Sequence, residues 1–228
     1  MTIVAPTSAQ VATRQALHQV AEHVLSAVEY TAIGRIRLEP APGGFQTLPL
    51  NDNGRRIAVD GGDIVVIDGG EQRRAPLSTV RAAAEFAGVE PGVKHDLYHI
   101  STPFEPDAVL PIDADAAQSI ADWFTLGTAA LDTLATQIQP DDVPDVVLWP
   151  EHFDLGITLD QVNYGVSAGD GAIPDPYLYV GPYGGPPAAE DPYWNVPFGA
   201  ARTITTIQST ADAVAFFREG REKTAPSA

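Results

Sequence analysis

Cysteine is absent from the chain, which excludes disulfides, thiolate metal centres and cysteine nucleophiles and leaves no redox mark of compartment. Positive charge is scarce: 13 Lys and Arg face 30 Asp and Glu, for a formal net charge of -17. Nucleic-acid backbones and anionic membrane surfaces are attracted by clustered Lys and Arg, so neither is an expected partner. No stretch approaches about 18 uninterrupted apolar residues, the length read as a membrane span. The opening MTIVAPTSAQVATRQ has no basic segment leading into an apolar one, so a cytoplasmic protein is the expectation. Nucleotide fingerprints are missing too. The paired glycines at 61–62 and 69–70 belong to neither GxGxxG nor GxxxxGK[ST], and no flavin or nucleotide cofactor is indicated.

The shortage of positive charge is uneven. No Lys or Arg occurs between Lys94 and Arg202, an interval holding 17 Asp and Glu. A carboxylate buried there must find His152, backbone donors, a metal ion or an arginine from elsewhere in the fold. What is present in quantity is apolar: 44% hydrophobic residues over 228 positions suffice for a substantial core.

Thr7 and Gln10 form a capping box, and Leu17, Val20, Val24 and Val28 recur at helical spacing, which predicts a helix over Ser8–Glu29. His18 and His23 on it stand five residues apart, a poor spacing for a shared ligand, and read as flanking or surface positions. After Gly34 the pattern turns to strands. RIRLEPAPGGFQTLPL breaks at a Pro-Gly-Gly turn, and RRIAVDGG with DIVVIDGG reads as a hairpin. Asn51–Gly54 reads as a turn rather than a calcium loop, lacking the EF-hand glutamate. Ser78 is the expected cap of a short helix, Thr79–Ala87, ending at Gly88. His95 and His99 in the proline-punctuated connector have the spacing of a helical metal pair, but the surrounding residues read as extended chain.

Asp113 or Asp115 opens a second long helix, striped by Ile120, Trp123, Phe124, Gly127, Leu131, Leu134 and Ile138 and stopped by Pro140. VPDVVLW and ARTITTIQS then read as strands, Ala211–Glu219 as a last helix, and the tail after it as frayed. Helix, strands and short helix thus occur twice, and RIRLEPAPGGFQTL and DVVLWPEHFDLGIT share an L-x-P start about 110 residues apart. The expectation is an α+β fold of two degenerate pseudo-repeats, residues 1–110 and 111–228, packed as one globular unit with mainly antiparallel or mixed sheet and helices on one side.

Residues 147–201 stand out by holding two of the three tryptophans and five of the seven tyrosines among Gly, Pro and carboxylates. Read as one strand, LWPEHFDLGITL puts Trp149, Phe153, Leu155, Ile157 and Leu159 on one face and His152 with Asp154 on the other. A histidine beside a carboxylate can be oriented as a general base or fixed as a metal ligand. The loop after it can bring Asp170, Ser167 or Asp175 near. The catalytic candidates are His152, Asp154 and Asp170, and the ligand-binding candidates Glu151, Tyr164, Tyr177, Tyr179 and Trp194. Ser167 lacks the G-x-S-x-G context of a hydrolase nucleophile.

The ordered residues Trp149, Pro150, His152, Phe153 and Asp154, then Asn163, Tyr164, Gly165, Ser167, Gly169 and Asp170, then Pro174, Pro176, Tyr177 and Tyr179 resemble the signature of a bacterial family classified only as a domain of unknown function. The resemblance covers the last third of the chain. It implies a recurring structural or binding segment and no particular activity. From the residues themselves the favoured reading is a small-molecule enzyme of hydrolase or isomerase type, with room for a divalent metal and for a homo-oligomer. The alternatives are a ligand- or protein-binding module using the aromatic and carboxylate surface, and a purely structural role.

Overall fold

The computed structural model describes residues 6–139, 141–187 and 190–225. The fold is α+β with antiparallel sheets, as the residue pattern indicates. Two compact units divide the chain: Pro6–Asp122 with Val147–Phe153, and Trp123–Val146 with the residues from Asp154 onward. We call them the N-terminal and C-terminal units. Among the described residues no helix is long and apolar enough to cross a membrane.

In the N-terminal unit, helix α1 (Ser8–Val20) opens with the expected capping box, the Gln10 amide donating to Thr7 Oγ1 at 3.2 Å and the Thr7 amide to Gln10 Oε1 at 2.8 Å. The helix does not continue as a plain α-helix. Ala21–Ser26 widen into a π-helical turn before α2 (Ala27–Ile33), which Gly34 ends in the left-handed conformation at φ 69°. Such a turn interrupts the α-helical ladder and concentrates at functional sites. Here it carries Glu22, His23 and Ser26, all buried. His18 and His23 are therefore not surface positions: His18 stacks on Phe153, with ring centroids 5.3 Å apart, and His23 is 2% exposed.

Five strands follow as an antiparallel meander: β1 (Glu39–Ala41), β2 (Gly44–Gln46), β3 (Arg56–Asp60), β4 (Asp63–Asp68) and β5 (Glu71–Pro76). The β3–β4 hairpin has the expected boundaries, pairing Arg56 with Ile67 and Asp60 with Asp63. Ile57 and Val59 lie opposite Val66 and Ile64 and are buried with Phe45, Leu17, Val20 and Val24. Helix α3 (Val80–Ala87) packs on β4. Its cap is Thr79 rather than Ser78, the Thr79 hydroxyl accepting from the Ala82 amide at 3.0 Å. The short strand β6 (Val147–Trp149) also belongs here, Leu38 and Leu148 exchanging two backbone hydrogen bonds of 3.1 and 2.8 Å.

Helix α4 (Ala114–Ile138), capped by Asp113, contributes its residues up to Asp122 to the N-terminal unit and the rest to the other. In the C-terminal unit four antiparallel strands run in the order β10-β9-β8-β7: β7 (Asp154–Leu159), β8 (Val162–Ser167), β9 (Tyr177–Pro182) and β10 (Ala200–Thr203). Asp160 and Gln161 close the β7–β8 hairpin at φ 48° and 64°, the pair of positive angles that a tight I′ turn demands. One face of this sheet is apolar, with Leu155, Ile157, Leu159, Val162, Tyr164, Val166, Leu178 and Val180 all buried. Gly127 of α4 and Gly220 let the helices approach it: a Cβ on Gly127 would press on Val166, and one on Gly220 on Val180. Helix α5 (Thr210–Thr224), capped by Ser209, is six residues longer than the sequence pattern suggests and supplies Phe217 against Tyr164. Pro140, the expected stop for α4, and the last three residues lie outside the described residues.

Candidate functional site

The strand expected across Trp149–Leu159 is broken. Pro150–Phe153 form a turn in which the His152 and Phe153 amides donate back to the Trp149 carbonyl at 3.3 and 2.8 Å, and Phe153 takes φ 53°. Proline at position 150 removes a ladder donor, and the left-handed Phe153 rotates the chain before pairing resumes at Asp154. The strict alternation that placed His152 and Asp154 on one face therefore does not hold across the turn. His152 is exposed and Glu151 half-buried in the N-terminal unit, whereas Asp154 begins β7 in the C-terminal unit. From Asp154 onward the alternation is as expected, with Leu155, Ile157 and Leu159 inward.

The second face of the C-terminal sheet is polar. Cross-strand partners share a face, so the register Asp154 to Ser167 to Tyr177, with Gly156 to Gly165 to Tyr179 beside it, lines these six residues across three strands. Asp154, Ser167 and Tyr177 are buried, and Tyr179 is half-buried. Tyr179 lies across Gly165 and donates from its hydroxyl to Asp154 Oδ2 at 2.7 Å, two strands away. Glycine is required beneath it, because a Cβ at 165 would collide with the Tyr179 ring. Tyr177 donates to Asp170 Oδ2 at 2.6 Å. Asp170 Oδ1 in turn accepts the Ala172 and Ile173 amides at 2.6 and 2.7 Å, which fixes the loop that presents it. The Tyr177 and Tyr179 rings are 6.2 Å apart.

Two phenol–carboxylate pairs therefore sit side by side. Burial, followed by the bond to Asp170, holds the Tyr177 hydroxyl well above its ordinary range, with the charge of Asp154 adding to the effect. It stays protonated at neutral pH and is a donor rather than a base. The charge-assisted bonds leave each carboxylate anchored by a phenol, an arrangement suited to holding hydroxyl groups and relaying protons. Tyr193 Oη donates to the Phe216 carbonyl at 2.9 Å and packs beside α5, so it belongs to the core.

Of the sequence-predicted residues, the sheet brings together Asp154, Asp170, Tyr177 and Tyr179. Tyr164 is on the opposite, apolar face, fully buried against Phe217, and Trp194 is buried edge-on to Tyr193 with ring centroids 4.8 Å apart. Glu151 and His152 belong to the N-terminal unit. The sequence signature includes Gly165 without a role, which only the cross-strand register reveals, and the pattern did not single out Glu22 and Ser26 of the π-helical turn. Glu22 and Ser26, with Glu29 beyond them in α2, recur at helical spacing on a helix whose other inward positions are mostly apolar, and that polar stripe was the signal in the sequence. Among the described residues no three His, Asp or Glu side chains are placed to hold a metal ion. No family model, curated protein or solved structure matches the chain.

Proposed function

We propose that the polar face of the C-terminal sheet binds a small hydroxylated molecule and performs proton-transfer chemistry on it, of the hydrolase or isomerase type. The observation that carries this reading is the paired arrangement of Tyr179 on Asp154 and Tyr177 on Asp170 across adjacent strands. A meander sheet needs only its apolar face to fold. The second face instead carries two buried or half-buried phenol–carboxylate pairs and Ser167, with Gly165 on β8 letting the Tyr179 ring reach across to Asp154. In this reading Asp154 is the proton acceptor, Tyr177 the donor, and Tyr179 and Asp170 position them.

The second reading, binding without chemistry, draws on the satisfaction of Asp170 by three internal donors. Calorimetric screening of the full chain against small sugars, hydroxy acids, lactones and esters, with turnover followed in parallel, tests both. The enzymatic reading expects a compound that binds, is turned over, and loses at least tenfold in kcat/KM with Asp154→Asn or Tyr177→Phe. Binding without turnover, weakened by the same variants, supports the module. A ligand whose binding neither variant alters would sink both. Tyr179→Phe, the mildest change, keeps the test valid where Asp154→Asn does not fold.

A further inference from the structure

A second cluster of polar groups, wholly within the N-terminal unit, has no role in the site above. It forms where the π-helical turn faces the segment carrying His95 and Tyr98 and the turn carrying Glu151. Ser101 ties that last turn down, its hydroxyl donating to the Glu151 carbonyl at 2.6 Å. The His95 ring is held between two tyrosines, with centroids 4.8 Å from Tyr30 and 4.9 Å from Tyr98. Glu22 and Glu151 are both close enough to act electrostatically on His95 and Tyr98.

Several of these groups are enclosed and unsatisfied. Ser26 is fully buried, and its Oγ faces the Tyr98 hydroxyl without reaching hydrogen-bond geometry. His95 Nε2, the Tyr98 hydroxyl and Glu151 Oε2 are likewise shielded from solvent and unbonded. An unsatisfied buried polar atom costs about 1–3 kcal/mol, and several in one place ask for an occupant. Glu22 does not supply one. Its two oxygens are taken by the Ser101 amide at 3.0 Å and by the Thr102 amide and hydroxyl at 2.8 and 2.6 Å.

The donor and acceptor character of these groups defines what can pair with them. The Leu97 amide donates to His95 Nδ1 at 3.3 Å, so in the neutral ring the proton is on Nε2, which is a donor. Burial lowers the His95 pKa, which keeps the ring neutral. Glu151 Oε2 can only accept, and Ser26 and Tyr98 can do either. The local charge is negative and uncompensated: Glu22 has no ion-pair partner among the described residues but His18, at 3.9 Å, and Glu151 has none. An occupant must bring positive charge and N–H donors to Glu151, an oxygen acceptor to His95, and a shape that tolerates tyrosine faces, which attract cations.

We propose that the Ser26, His95, Tyr98 and Glu151 cluster binds a small organic ammonium compound carrying a hydroxyl or carbonyl oxygen beside its charge, the vicinal amino alcohol being the simplest case. The ammonium group donates to Glu151 Oε2 beside the Tyr98 ring. The oxygen accepts from His95 Nε2. Ser26, set on the π-helical turn, completes the set from the helix side, which gives the widened turn a purpose that regular helix would not serve.

Titration of the full chain with ethanolamine, followed through the His95 and Tyr98 ring signals by NMR, tests the proposal, with propylamine and ethylene glycol as controls. The expected result is a saturable shift with ethanolamine, a weaker one with propylamine and none with ethylene glycol. Glu151→Gln should weaken ethanolamine at least tenfold while the remaining ring signals keep their folded positions, and Tyr98→Phe should weaken it less. Immobile signals throughout, meaning water as the only occupant, would overturn it. So would ethylene glycol shifting the signals as strongly as ethanolamine, or Glu151→Gln binding ethanolamine as well as the parent does.

Discussion

Single side chains decide whether the polar sheet face holds its shape. Tyr179→Phe removes one donor to the buried Asp154 carboxylate and is expected to cost about 1–3 kcal/mol. Gly165→Ala should cost at least as much through overpacking, because the added methyl displaces the Tyr179 ring. Chemical denaturation of the two variants and the double variant checks this: with the ring already displaced, the two losses should fall well short of adding. Glu29 offers a different test. It is fully buried in the N-terminal unit, accepts the Leu48 amide at 2.8 Å, and is pushed up to about 7, chiefly by burial. Its folded-state pKa is raised above the ordinary 4.5. The stability this contributes is full below about pH 4.5 and is lost as pH rises through about 7. Glu29→Gln should therefore match the parent near pH 4.5 and exceed it above pH 7 by an amount on the order of 2–3 kcal/mol. Equal stability of the two across that range would contradict a buried, protonated Glu29.

At the scale of elements, the π-helical turn is the feature with most to lose. Thr13, Ala16, Leu17 and Val20 before it and Ala27 and Glu29 after it are all buried. Deleting one residue from Ala21–Ser26 would let a regular helix form with the flanking faces nearly in register, since six π-helical residues turn the chain about as far as five α-helical ones, but it would re-aim the buried Glu22, His23 and Ser26 and break the bonds Glu22 makes to Ser101 and Thr102. The expected outcome is a loss of several kcal/mol, with His95 and Tyr98 exposed, read by thermal melting and tyrosine fluorescence. A deletion that melts within a degree or two of the parent would show that the turn is not needed. The capping box at Thr7, the β3–β4 hairpin and the α4 stripe were legible in the sequence because each follows from local chemistry: a hydroxyl three residues before a glutamine, a pair of glycines between β-branched runs, an apolar period of 3.6. The turn at Glu151 and His152 was not, since a proline followed by a left-handed phenylalanine overrides an alternation that otherwise continues. Half the candidate site was legible for the same reason. Asp154, Asp170, Tyr177 and Tyr179 share strands and loops whose chemistry is local, while the grouping of His95, Tyr98 and Glu151 with Ser26 depends on distant segments meeting.

For the molecule as a whole the dominant quantity is charge. At -17, with no Lys or Arg between Lys94 and Arg202, self-repulsion opposes compaction. Raising ionic strength from about 0.01 to 0.15 M shortens the screening length from about 30 to 8 Å and should raise the melting temperature by a few degrees. A fall over the same range would mean that the surface ion pairs, such as Arg81 with Asp107 at 2.6 Å, outweigh the repulsion. The central claim concerns the polar sheet face, and the most direct measurement is NMR of the full chain labelled at Asp γ and Tyr ζ carbons during titration with small sugars and hydroxy acids. Tyr164, on the opposite face of the same sheet, serves as the internal reference. The expected result is that one class of compound moves Asp154, Asp170, Tyr177 and Tyr179 together and saturably while Tyr164 stays still. Four unmoved signals across the whole panel, or a compound that moves Tyr164 and leaves the two phenol–carboxylate pairs unchanged, would contradict it.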